Sequence, residues 1–75
     1  MVSNNCLFDH ETCSYRAIKP GMVYYDDFVQ EYYLILDNFY DRNRRMCWRL
    51  LALSTGKETK QLERMIVEDP DVEWI

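Results

Sequence analysis

Residues 31–40 read EYYLILDNFY, and whether this run is a strand or a helix decides the fold. The helical case is real. Phe28, Tyr32, Ile35, Leu36 and Phe39 recur at helical spacing, Asp26 or Asp27 can cap, and Gln30 stands where a capping box wants it. Against it, the Tyr32-Tyr33 and Phe39-Tyr40 pairs are poor helix formers. The stripe also reaches nearly every side of the cylinder, leaving no polar face. Aromatic and β-branched residues suit a pleated, half-buried surface instead. The reading is a strand, with an α+β fold carrying a helix at about 27–40 as the alternative.

Working outward, the other apolar runs are as short and as regularly broken. GMVYY (21–25) ends at Asp26-Asp27, MCWRLLAL (46–53) ends at Ser54-Thr55-Gly56-Lys57, and QLERMIV (61–67) ends at Glu68-Asp69-Pro70-Asp71, before a last run at 72–75. Short strands with turn residues at each break predict an all-β fold, a small five-stranded barrel. Trp48, Leu50 and Ala52 share one face of the third run, with Cys47, Arg49 and Leu51 on the other. As a strand, the fourth run would set Leu62, Arg64 and Ile66 against Glu63, Met65 and Val67; Lys60–Val67 also reads as a short helix. Pro20-Gly21 suits the centre of a type II turn, since Pro presets φ and Gly accepts φ > 0. Residues 18–75 are therefore expected to be one domain, and the polar, aperiodic residues 1–17 an irregular extension.

The chain of 75 residues is long enough for one domain and too short for two. Thirteen acids against nine bases give a net charge of −4 and a pI near 4.8. That is the wrong sign for a general nucleic-acid binder, which usually carries a basic balance. The charge is also uneven: Arg42, Arg44, Arg45 and Arg49 lie close together, and Glu68, Asp69, Asp71 and Glu73 crowd the C-terminal end. No apolar run approaches the roughly 20 residues that span a bilayer, and the first residues lack the basic-then-apolar pattern of a signal peptide. The expected location is the cytoplasm, with no membrane partner.

Three stretches together resemble the small SH3-like barrels. Ile18-Lys19-Pro20-Gly21-Met22-Val23-Tyr24 resembles their opening strand, and Trp48 to Lys57 (WRLLALSTGK) is similar to their central hairpin strand and its Gly-containing turn. Glu68 to Ile75 (EDPDVEWI) resembles the short 3₁₀ turn leading to the last strand. Chains of this kind are common among phage-encoded proteins. The likeness covers residues 18–75; the long run at 32–40 departs from the pattern, and residues 1–17 have no counterpart. It implies a binding role without saying for what, because such barrels bind proteins, peptides and nucleic acids alike.

Specific chemistry finds little footing. Cys6, His10 and Cys13 are spaced C-x₃-H-x₂-C, with Cys47 a distant fourth thiolate, whereas a structural zinc site usually shows two close pairs. The expectation is no metal and no cofactor, with a zinc-stapled domain as a lesser alternative. Three cysteines, an odd number, fit reduced thiols better than a disulfide framework. Catalysis needs a nucleophile, a base and an orienting group in register. The single histidine lies in the least structured segment, and no phosphate-binding or dinucleotide-binding motif occurs, so the reading is not an enzyme.

Aromatics are the one excess: six Tyr, three Phe and two Trp are more than so small a domain can enclose. Tyr, Trp and Arg are enriched at binding hot spots. The sequence therefore predicts a protein-interaction module, a phage-type accessory protein that binds and inhibits a host protein or nucleoprotein complex. Its contact residues would be Tyr32, Tyr33, Tyr40, Arg42, Arg44 and Arg45, with Glu68, Asp69, Asp71 and Glu73 as carboxylates standing where phosphates would sit. The alternative is local nucleic-acid binding through Arg42–Arg49 and exposed Tyr. Homodimerisation through exposed aromatics is compatible with each reading.

Overall fold

The computed structural model describes Phe8–Asp9, Ser14–Tyr15 and residues 17–75. Phe8–Asp9 (β1) and Ser14–Tyr15 (β2) are two-residue strands paired antiparallel with each other. The main body is one five-stranded antiparallel sheet built from Val23–Asp26 (β3), Glu31–Tyr40 (β4), Met46–Ala52 (β5), Glu58–Leu62 (β6) and Val72–Trp74 (β7), in the order β6-β5-β4-β3-β7. The fold is all-β, as the period-2 reading predicts. The alternative helix at about 27–40 does not form, because residues 31–40 pair as a strand, with β3 over 31–34 and with β5 from Tyr33 to Tyr40.

Strand β4 is the spine. Its first half pairs with β3 (Tyr25↔Tyr32, Val23↔Leu34), and β5 runs along its other edge from Tyr33↔Ala52 to Tyr40↔Met46. The register shifts between Ile35 and Asp37. A bulge of this kind bends the strand and raises its local twist. Before β3, the Met22 N–H donates to the Lys19 carbonyl at 3.2 Å. Gly21 there takes φ +92°, the conformation that position i+2 of a type II turn demands.

One expected strand needs correction. Residues 61–67 are not a continuous strand: β6 ends at Leu62 and Glu63–Val67 form a single helical turn, α1. Its burial departs from alternation, with Ile66 and Val67 both buried and Arg64 and Met65 both exposed. The Trp48 Nε1–H donates to Glu63 Oε2 at 2.8 Å and ties the helix start to β5. Since β6 and β7 lie at opposite edges of the sheet, α1 and the turn after it carry the chain between them. Ile66 and Val67 join Ile18, Tyr24, Ile35, Trp48, Leu50, Val72 and Trp74 in one core, with Met22 and Tyr33 packed against it.

Candidate protein-binding surface

The turn between β3 and β4 places two apolar side chains in water. Asp26 and Glu31 close the ladder, and Phe28 and Val29 between them are 82% and 50% exposed. The turn is held from inside: the Phe28 N–H donates to Asp26 Oδ1 at 3.0 Å. Gln30 takes φ +57°, a left-handed conformation that costs a side chain with a Cβ. It is also fastened from outside, where the Asp27 N–H donates to the Asp71 carbonyl at 2.9 Å. In the segment before β7, the Asp71 N–H donates to Asp69 Oδ1 at 2.8 Å.

Those bonds bring two acidic segments to the same end of the sheet, Asp26 and Asp27 before the turn tip and Asp69 and Asp71 before β7. None of the four makes an ion pair among the described residues. Two of them, Asp26 and Asp69, bear on a core tyrosine. The buried Tyr24 hydroxyl is pushed well above the usual tyrosine range, first by burial and then by Tyr33, Asp26 and Asp69.

Beside this end, Tyr25 and Tyr32 face each other across β3 and β4 with ring centroids 4.8 Å apart. Tyr32 is 47% exposed. Desolvation and then Asp27 raise the Tyr25 hydroxyl. The Leu53 N–H donates to the Tyr32 carbonyl at 2.9 Å, bringing the β5–β6 turn alongside. Glu31 accepts from the Ser54 hydroxyl, which is the main cause holding its carboxyl below the usual range.

The opposite end of β4 is basic. Asp41 organises the loop to β5: its Oδ1 accepts from the N–H groups of Asn43 and Arg45, each at 2.9 Å, and its Oδ2 from Arg45 Nε at 3.0 Å. The Arg45 backbone N–H is the largest cause of its lowered pKa. Arg49 is spanned by Asp37 at 2.6 and 2.7 Å and by Glu58 at 3.1 Å. These bonds hold Asp37 below the usual carboxylate range and Arg49 above its own. Of the four arginines singled out by sequence, only Arg42 and Arg44 make no ion pair among the described residues. Both are exposed, and neighbouring Tyr40 is 67% exposed.

The remaining candidates scatter. Tyr33 is half-buried on the core face against Tyr24, with ring centroids 5.4 Å apart. Glu68 accepts from Arg64 Nε at 3.1 Å on α1. Glu73 is exposed and sits opposite Tyr25 in the β3–β7 ladder. Cys6, His10 and Cys13 lie outside the described residues. Among the described residues no group of three or more His, Cys, Asp or Glu could hold a metal, and Cys47 is buried. No helix there is long and apolar enough to cross a membrane. Sequence reasoning missed the meeting of Asp26-Asp27 with Asp69-Asp71, because only the pairing of β7 with β3 creates it.

No protein-family model matches this chain, and neither a curated protein nor a solved structure matches it significantly.

Proposed function

We propose that this chain is a non-enzymatic protein-interaction module, a phage-type accessory protein that binds a host protein or nucleoprotein complex in the cytoplasm and blocks it. The observation that carries this reading is the end of the sheet where Phe28 and Val29 protrude between carboxylates that make no ion pair among the described residues. Exposed aromatic and aliphatic groups on a fixed turn give a partner buried area at small entropic cost. Uncompensated carboxylates around them favour a basic partner surface, including one that normally receives phosphates. Asp26, Asp69 and Asp71 supply that charge, a set that keeps two of the four acids expected from sequence. The sheet order, with a short helix before the last strand, is compatible with the SH3-like resemblance.

The test is capture from nuclease-treated bacterial lysate, wild type beside two variants. Phe28→Ser/Val29→Ser removes the apolar tip. Asp26→Asn/Asp69→Asn/Asp71→Asn keeps the side-chain acceptors and removes the charge. A single protein retained by the wild type and lost by both variants is the expected result. Equal retention by all three would remove the reading.

The second reading, single-stranded nucleic-acid binding, rests on Arg42 and Arg44 beside exposed Tyr40. It predicts retention that vanishes with nuclease and an affinity that falls steeply with salt.

A further inference from the structure

Strand β6 forms one edge of the sheet, and β7, the other edge, is not paired with it. Glu58, Thr59, Lys60 and Gln61 are all exposed, and a groove of about 420 Å³ lined by Phe39, Arg49, Glu58, Thr59 and Lys60 opens along this edge. An exposed edge strand is a template for a further strand. Which of its backbone groups are available follows from the ladder. The Ala52 N–H donates to the Lys57 carbonyl at 2.9 Å, and the Leu53 N–H turns the other way, to the Tyr32 carbonyl. Bonding residues alternate along an antiparallel pair. Through the β5–β6 register, Thr59 and Gln61 therefore bond to β5, and Glu58, Lys60 and Leu62 point their N–H and C=O groups away from it. On that side the Leu62 N–H donates to the Gln61 side-chain oxygen at 3.0 Å. Glu58 and Lys60 make no backbone bond there among the described residues.

Two copies of such an edge pair antiparallel about a two-fold axis, with outward-pointing residues opposite outward-pointing ones. The axis then passes through a residue of β6 rather than between two. Through Lys60 it sets Lys60 against Lys60, and through Glu58 it sets Glu58 against Glu58, like-charge pairs that destabilise. Through Gln61 or Leu62 it draws on the Leu62 N–H, which is already taken. Through Thr59 it sets Glu58 of each chain opposite Lys60 of the other, and these attract. A lysine on an edge normally repels a further strand; here Glu58, two residues earlier, is its complement. Lys60 makes no ion pair among the described residues. Glu58 Oε1 accepts from Arg49 at 3.1 Å, while the other two nitrogens of Arg49 hold Asp37, so Glu58 Oε2 faces an incoming ammonium without losing that bond.

We infer that β6 pairs antiparallel with β6 of a second copy of the chain, with the two-fold axis at Thr59. Glu58 of each chain exchanges backbone hydrogen bonds with Lys60 of the other, their side-chain charges meet, and the two five-stranded sheets become one. Phe28, Val29 and the Asp69–Asp71 segment take no part, so the inference stands apart from the partner-binding reading.

The register is tested by crosslinking the full chain carrying Cys6→Ser and Cys13→Ser. On the axis, residue 59 and its copy form a non-hydrogen-bonded pair with Cα atoms about 4.5 Å apart, within the span of a disulfide. Residue 61 lies about 13 Å along the strand from its copy. Oxidation with copper phenanthroline is expected to give a disulfide dimer from Thr59→Cys and none from Gln61→Cys. Sedimentation velocity over a concentration series reads the reversible dimer of the unaltered chain. Glu58→Lys and Lys60→Glu should each weaken it about tenfold by opposing like charges. An equimolar mixture of those two variants should dimerise within about threefold of the wild type, because each supplies the charge the other lacks. A wild type that stays monomeric, a mixture no better than its components, or crosslinking from position 61 as strong as from position 59 would each overturn the proposal.

Discussion

Replacing Ile66, Val67 and Met65 one at a time by alanine tests the segment where sequence and structure part. In α1 the first two are 2% and 3% exposed and Met65 is 54% exposed. Ile66→Ala deletes most of a core side chain and leaves a cavity, at a cost of about 3 kcal/mol. Val67→Ala removes two methyl-sized groups, a cost of about 2 kcal/mol. Met65→Ala costs about 0.5 kcal/mol or less, because the side chain is solvated and alanine is the better helix former. For a domain of this size 1 kcal/mol moves the thermal midpoint by about 4–8 °C, so Ile66→Ala should melt about 12–24 °C lower. A total stability of about 4–11 kcal/mol makes that close to the limit of folding. Far-UV circular dichroism melts of the three variants provide the readout. A strand would put Ile66 and Val67 on opposite faces, with Met65 beside Val67. Near-neutral Val67→Ala, or Met65→Ala as costly as Ile66→Ala, would refute the helical turn.

Other consequences follow from named contacts. Glu63→Ala takes away the acceptor of the Trp48 indole N–H, and that lost bond should cost about 1–3 kcal/mol in urea unfolding. Gln30→Gly should raise stability by about 0.5 kcal/mol, since glycine takes φ +57° without a Cβ penalty. Gly21→Ala should lower it by about 1 kcal/mol for the converse reason, and the two urea midpoints should move in opposite directions. Asp37, Asp41 and Glu31 have lowered pKa values in the folded chain, so they contribute stability above the ordinary carboxylate range. That contribution is lost as pH falls through their folded values, so the thermal midpoint should hold between about pH 5 and 8 and decline below about pH 4. Tyr24 runs the other way: its raised folded value gives stability below about pH 10 that is lost as pH rises further, and Tyr24→Phe should flatten the alkaline limb.

How much of this was legible in the sequence depends on the range of the interaction responsible. The β4 reading succeeded because Tyr-Tyr and Phe-Tyr pairs disfavour a helix locally, whatever the rest of the chain does. Pro20-Gly21 succeeded for the same reason, as the turn chemistry is complete within four residues. The Gln61–Val67 strand failed because alternation in Leu-Glu-Arg-Met-Ile-Val does not distinguish a strand from one helical turn. What decides it is the core position of Ile66 and Val67 and the Glu63–Trp48 bond, both set by distant residues. The acidic end was half visible: a carboxylate run at 68–73 is plain, but its union with Asp26 and Asp27 depends on β7 returning to β3. The arginine cluster looked uniform until Asp41, Asp37 and Glu58 were found to occupy Arg45 and Arg49. Among the described residues, only Arg42 and Arg44 of that cluster make no ion pair.

The claim that the turn end, rather than the basic loop, meets the partner is open to direct measurement by site-specific photocrosslinking. A benzophenone amino acid replaces Phe28 in one protein and Tyr40 in another, each irradiated in nuclease-treated bacterial lysate. The account predicts one protein adduct from position 28, abolished by Asp26→Asn/Asp69→Asn/Asp71→Asn, and none from position 40. An adduct formed only from position 40, or one that without nuclease contains nucleic acid, would contradict it.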